Sequence, residues 1–253
     1  MPDAPPSGPV WILASQSPRR RALMAALGLP HEVVAADVPE DPRDGEEPQA
    51  LALRLALAKA RAVAARYPQR YVVAADTVVA VGRTILGKPA DEAEAVEMLR
   101  FLRGRVHRVF TALAVLAGPL GLGAGDLAAI SVRMRAYQDE EILAYVRTGD
   151  PLDKAGAYAI QHRGFRPVAE LHGCYAGVLG FPLCHFGRTL RSLGLAHPAD
   201  IPALCQRHTG IPCRVHPEVL AGDPLWRFPW PGDNPCVAPT GGGCSGCEPT
   251  STR

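Results

Sequence analysis

Asp76 is the residue whose setting is hardest to explain as packing. It interrupts VVAADTVVAV, residues 72–81, an otherwise apolar and β-branched strand run. An acid in such a run is unfavourable unless it is paired, protonated or bound to a metal. The plain alternative is a strand-end acid that reaches solvent or caps a turn. A second concentration of polar groups is the turn holding Ser15, Ser17, Arg19 and Arg20, which follows the apolar run VWILA. Hydroxyls, free backbone N–H groups and guanidinium groups where a strand feeds a helix suit a phosphate. The same residues also describe an ordinary N-cap with solvated arginines. A third, GRTILGKP at 82–89, fits the pattern G-x-x-x-x-G-K. Pro89 then stands where a Ser or Thr would bind Mg²⁺, and it lacks the N–H of a phosphate cradle. The segment is therefore no Walker A loop, but it leaves Lys88 as a cation beside a turn. In DKAGAYAIQ, 153–161, Lys154 and Gln161 flank small residues that permit close ligand approach, and Gln161 offers both a donor and an acceptor to a base edge.

These residues need elements to hold them. VWILA reads as a short strand, Arg20 to Leu29 as a helix stopped by Gly28, and HEVVAADV as a second strand. Gln49 to Arg66 reads as a long Ala/Leu helix. GRTILGKPAD reads as a turn with a short extended piece. Asp91 to Leu102 is a helix with an Asp91/Glu94 capping box. VHRVFTALAVLA and DLAAISVRMRAY form a hairpin or neighbouring strands, and Gln138 to Thr148 a helix. DPLDKAGAYAIQ, PVAELHGCYAG and LGFPLCHFGRTLRSLG complete the globular part as strand, loop, strand and helix. The alternation argues an α/β or α+β domain.

The 253 residues, 47% hydrophobic and 21% charged with net charge +2, exclude disorder as the main state and a polybasic nucleic-acid arm. No basic segment precedes a long apolar stretch, so a signal peptide is not expected, and glycines and a proline break the stretch from Val109 to Gly125. Seven cysteines without a secretory signal point to reduced thiols in a cytosolic setting. Of the 27 basic residues only Lys59, Lys88 and Lys154 are lysine. In so Arg-rich a chain, a surviving lysine either marks a place where a compact ammonium is wanted or stands there by chance. From Pro198 the chain turns rich in Pro, Gly and Cys, as an appended module or a partly ordered tail. Only Cys244 and Cys247 have the spacing of a zinc knuckle, with Cys205, Cys213 and Cys236 as further thiols.

Taken in order, ILASQSPRRRALMAALG, Glu40, LALRLALAKARAV, the long run from VVAADTVVAVGRTILGKP to RVHRVFT, GDPLDKAGAYAIQ and, more loosely, CYAGVLGFPL resemble the Maf family of nucleoside triphosphate pyrophosphatases over residues 10–195. The resemblance implies a two-lobed α/β fold like that of the inosine triphosphate pyrophosphatases, with a mixed sheet, a central cleft and, here, a Cys/Pro-rich C-terminal extension. Residues 1–197 would be the enzyme domain and 198–253 the extension. It implies hydrolysis of a nucleoside triphosphate to monophosphate and pyrophosphate with Mg²⁺ or Mn²⁺, in the cytoplasm, by a homodimer that engages neither nucleic acid nor membrane. DKAGAYAIQ looks like the dTTP/UTP-preferring branch. Asp76 would be the general base. Arg19, Thr77 and Gln161 would govern substrate choice, Ser15, Arg20, Lys59 and Lys88 would contact the triphosphate, and Glu40 with Asp76 would hold the metal. Lys154 would pair with Asp76 or another acid of the cleft. Two positions depart from the pattern: His162 stands where Gly is frequent, and Gly177 where Asn is. Other readings are the same chemistry on a modified guanine nucleotide, a nucleotide-binding regulator of division without catalysis, and a zinc-dependent interaction module in the tail.

Overall fold

The computed structural model describes residues 11–198 and 200–230. Its centre is one mixed sheet. Strand β1 (Trp11–Leu13) lies between β2 (His31–Val33) and the long β3 (Tyr71–Val81), parallel to both. Strand β5 (Val106–Ala117) runs antiparallel to β3 and forms a long hairpin with β6 (Leu122–Met134). The apolar, β-branched runs that read as strands thus pair in the centre, where both faces are covered. Short β4 (Thr84–Leu86) folds back on the end of β3, and β7 (Val168–His172) pairs with the end of β6.

Alternation along β3 divides its side chains between two cores. Val72, Ala74 and Val78 face helix α2 (Pro48–Ala64), whose Leu51, Leu55, Ala56, Ala60 and Val63 are buried. Val73, Ala75 and Val79 face the other side, with Leu23 and Met24 of α1 (Pro18–Ala26) and with α3 (Glu92–Leu102), α4 (Asp139–Val146) and, after the one-turn α5 (Tyr175–Val178), α6 (Leu183–Ser192). Helix α1 begins two residues before its expected start, because Pro18 already has the φ of a first helical turn. Asp91 caps α3 by accepting the Glu94 N–H, while Glu94 reaches back to the N–H of Ala90.

One expectation fails here. DPLDKAGAYAIQ is not a strand but two tight 3-10 turns, Asp150–Asp153 and Ala155–Ala157. Buried Lys154 holds them together by donating to the Asp150 carbonyl and to the carboxylates of Asp150 and Asp153. Gly156, at φ +73°, makes the reversal, and a Cβ there would stand 3.0 Å from a Val79 methyl.

Residues 201–229 join the same architecture. Helices α7 (Ile201–Thr209) and α8 (His216–Ala221) pack on α6, and β8 (Trp226–Pro229) pairs antiparallel with Leu122–Gly125 of β6. Trp226 and Phe228 lie over Gly125 and Gly123, where a Cβ would collide with either ring. Arg188 of α6 reaches buried Asp126 of β6 by two hydrogen bonds, one of 2.6 Å, and donates to the Val219 carbonyl. Cys174, Cys184, Cys205 and Cys213 are free thiols. Cys236, Cys244 and Cys247 lie outside the described residues, and with them the zinc reading. Among the described residues, no helix is long and apolar enough to cross a membrane.

Candidate active site

The partners of β3 change half-way along it. Strand β1 pairs only with Tyr71–Val73 and β4 only with Val79–Val81, so the edge from Ala74 to Val78 faces neither. A cleft of about 1120 Å³ opens at this gap. The turn after β1 forms one wall, Ile85–Lys88 and the turns around Lys154 another, and the loop carrying Glu40 the rim. Ser15, Arg19, Arg20, Glu40, Lys59, Asp76, Thr77, Lys88 and Gln161, scattered over 147 positions of sequence, all line it.

Asp76 and Thr77, adjacent in the gap, point to opposite faces of the sheet. On the α2 side, buried Asp76 receives a 2.5 Å hydrogen bond from Lys59 Nζ through Oδ1. The same ammonium lies 2.6 Å from Glu40 Oε1. Oδ2 of Asp76 has no hydrogen-bond partner among the described residues. Burial pushes the Asp76 carboxyl above the usual range, and the charges of Lys59 and Arg20 oppose that rise without cancelling it. The carboxylate is thereby made more basic than an ordinary aspartate, with one oxygen still available.

On the other face, Arg20 holds the cleft together. Its Nε donates to the Gly180 carbonyl at 2.9 Å, Nη1 to Ser15 Oγ at 3.2 Å and Nη2 to Thr77 Oγ1 at 3.2 Å. Gly180 has φ +100°, and a Cβ there would press within 3.2 Å of Arg20 Nε and 3.3 Å of Thr77 Oγ1. A glycine is needed at that point on both counts. The first turn of α1 carries Arg19 and Arg20 and no acid, and Ser17 makes no side-chain cap. Its N–H groups, the positive end of the helix, are left for an anion.

Lys88 and Gln161 are exposed on the cleft wall. Lys154 pairs with Asp150 and Asp153 rather than with Asp76. Tyr158 lines the cleft and is held from behind by buried His107, whose Nε2 lies 2.8 Å from its hydroxyl. Burial brings His107 down to about 4, so this ring is neutral. Sequence reasoning missed this pair, because an isolated His and an isolated Tyr carry no spacing signal.

The family model described as Maf-like protein matches residues 10–193. The chain belongs to the Maf family. Within Maf, it is 46% identical over 183 residues to the dTTP/UTP pyrophosphatase of Geobacter sulfurreducens, covering 72% of this chain and 96% of that protein. It is 44% identical over 209 residues to the dTTP/UTP pyrophosphatase of Thermomicrobium roseum, covering 81% and 95%. Among solved structures it is similar to the Staphylococcus aureus Ham1 protein at TM-score 0.39 and 16% identity, over 62% of this chain and 79% of that one.

Proposed function

We propose that this Maf protein hydrolyses dTTP and UTP to the monophosphate and pyrophosphate, with Asp76 as general base. The observation that carries the reading is the Asp76 carboxylate, made basic by burial and held through one oxygen only, in a cleft that also presents the open end of α1. The names of the relatives, dTTP/UTP pyrophosphatase, support the substrate class.

A triphosphate is a dense anion, and cleaving it needs charge neutralisation and an in-line water. Arg19, the α1 N-terminus and Lys88 would take the phosphates, with Ser15 and Arg20 forming the floor. Asp76 would accept a proton from the water as its oxygen bonds to the α-phosphorus. The bond to the bridging oxygen breaks, and pyrophosphate leaves against the cationic wall. Lys59 keeps Asp76 oriented while leaving Oδ2 free for that proton. Thr77 and Gln161 would meet the pyrimidine edge.

Among the described residues no group of three or more His, Cys, Asp or Glu is placed to hold a metal ion. Glu40 and Asp76 nevertheless converge on one point, the Lys59 ammonium, and this supports a cation being held between them. Two carboxylates plus phosphate oxygens match the usual demands of Mg²⁺. These two residues would hold a Mg²⁺ or Mn²⁺ ion, which supplies charge neutralisation and polarises the phosphoryl group. The active-site groups all fall within 1–197, and 198–253 is the extension. A homodimer in the cytoplasm completes the reading, and light scattering checks the assembly.

The deciding experiment is a panel of nucleoside triphosphates with Mg²⁺ or Mn²⁺, scored for pyrophosphate. Release from dTTP and UTP well above purine triphosphates is expected. Orthophosphate as the product, or no release at all, would overturn the reading.

A further inference from the structure

The buried hydroxyl of Thr111 lies one strand behind the cleft, on β5 directly opposite Thr77. It is fully buried and does not line the cleft. Thr111 Oγ1 donates its one proton to the Gly177 carbonyl at 2.8 Å, because a carbonyl can only accept. The 3.0 Å contact between Thr77 Oγ1 and Thr111 Oγ1 must therefore be donated by Thr77. On its other side Thr77 accepts from Arg20, because a guanidinium can only donate. The direction of the whole chain is thereby set, from Arg20 through Thr77 and Thr111 to the Gly177 carbonyl. A hydroxyl has one proton and two lone pairs. With its proton committed to Thr111 and one lone pair to Arg20, Thr77 presents a single remaining lone pair to the cleft. The missing side chain at Gly180 leaves that oxygen reachable.

We infer that Thr111 is a specificity-positioning residue: by taking the Thr77 proton it makes Thr77 a pure acceptor, selecting bases that carry an N–H at that edge. Uracil and thymine present N3–H there, whereas cytosine presents a bare N3 lone pair. A cytosine would set two acceptors against each other, and a site with its polar groups so arranged rejects the mismatched base strongly. With the Thr111 hydroxyl removed, Thr77 can rotate its proton into the cleft and serve either base. This inference rests on the proposed role of Thr77 at the base edge.

The test is kcat/KM for UTP and for CTP in the wild type and in Thr111→Val, Thr111→Ser and Thr77→Val, with each variant's fold checked by urea unfolding. The expected result is a UTP:CTP ratio lowered about tenfold or more in Thr111→Val and restored in Thr111→Ser, with Thr77→Val also losing the preference. Equal losses on both nucleotides in Thr111→Val would make Thr111 merely structural and overturn the inference. A ratio lost in Thr77→Val but kept in Thr111→Val would overturn it while leaving the Thr77 reading intact. A ratio unchanged in Thr77→Val would overturn both. If Thr111→Val fails to fold, the inference stands or falls on Thr111→Ala under the same measurement.

Discussion

Asp76 and Asp126 belong to one sheet, on β3 and β6 with β5 between them. Each interrupts an apolar strand, each is buried, and burial pushes each carboxyl above the ordinary range. They differ in how their oxygens are occupied. Asp126 is saturated: Arg188 grips both oxygens, and the backbone N–H of Leu127 donates at 2.8 Å. The N–H of Leu225, next to β8, adds to that hold. Asp76 meets one ammonium through one oxygen, and the residue lines a cleft. Both oxygens are thus taken up by partners in one place and only one of the two in the other. The saturated acid clasps the C-terminal segment to the sheet, and the unsaturated one is left with chemistry to do.

The sharpest way to break this comparison is to neutralise each acid in turn. Asp76→Asn is expected to lower kcat by about a thousandfold or more, within the range general-base and electrostatic contributions reach. Its urea midpoint should fall less than that of Asp126→Asn, because Lys59 keeps a second carboxylate, Glu40, at 2.6 Å. Asp76→Asn with turnover near wild type ends the assignment. Asp126→Asn should do the converse. It leaves Arg188 without its counter-charge and should lose about 3–5 kcal/mol of unfolding free energy, as broken buried pairs do. Turnover per folded molecule should stay near wild type. Replacing both partners, Asp126→Leu with Arg188→Met, should recover most of that loss.

The two acids also separate by pH. A general base works when ionised, so kcat/KM should rise with pH through the Asp76 pKa. That pKa lies above the ordinary aspartate value, so the acid limb of the profile is displaced upward. Lys59 favours the ionised form, so Lys59→Met should move the limb higher still, by roughly 1–3 pH units, whatever it does to the plateau. A limb unmoved in Lys59→Met would assign it to another group. The smallest effect is expected at Lys88, exposed on the cleft wall. Lys88→Arg keeps the charge but changes its shape, and a severalfold rise in KM at unchanged stability is expected. Identical kinetics would remove Lys88 from the phosphate wall.

Much of this was legible in residue order, and the exceptions share a cause. The β5–β6 hairpin and the α2 helix follow from periodicity, and Asp76 from its mismatch with the strand around it. Asp126 carries the same mismatch in GAGDLAAIS, yet its explanation is Arg188, 62 positions away. No local pattern announces that partner. Thr111 reads as an ordinary β-branched strand residue until its hydroxyl is traced to Thr77 and Gly177. DKAGAYAIQ looks like a strand because its apolar residues alternate, but the Lys154 ion pairs and the left-handed Gly156 override that pattern. The Pro- and Gly-rich stretch after Pro198 reads as an appended module or a partly ordered tail. Within its described residues, α7, α8 and β8 pack on α6 and β6, and Trp226 and Phe228 fit glycine seats that only the folded sheet provides.

Strand β8 also sets the timing of folding during synthesis. Trp226 is made about a hundred residues after Gly125, the seat it covers. At roughly 5–20 residues per second, translation leaves that stretch of β6 bare for on the order of 5–20 seconds. Until then the nascent chain shows an open, glycine-lined edge beside apolar surface, the geometry that invites pairing with another chain.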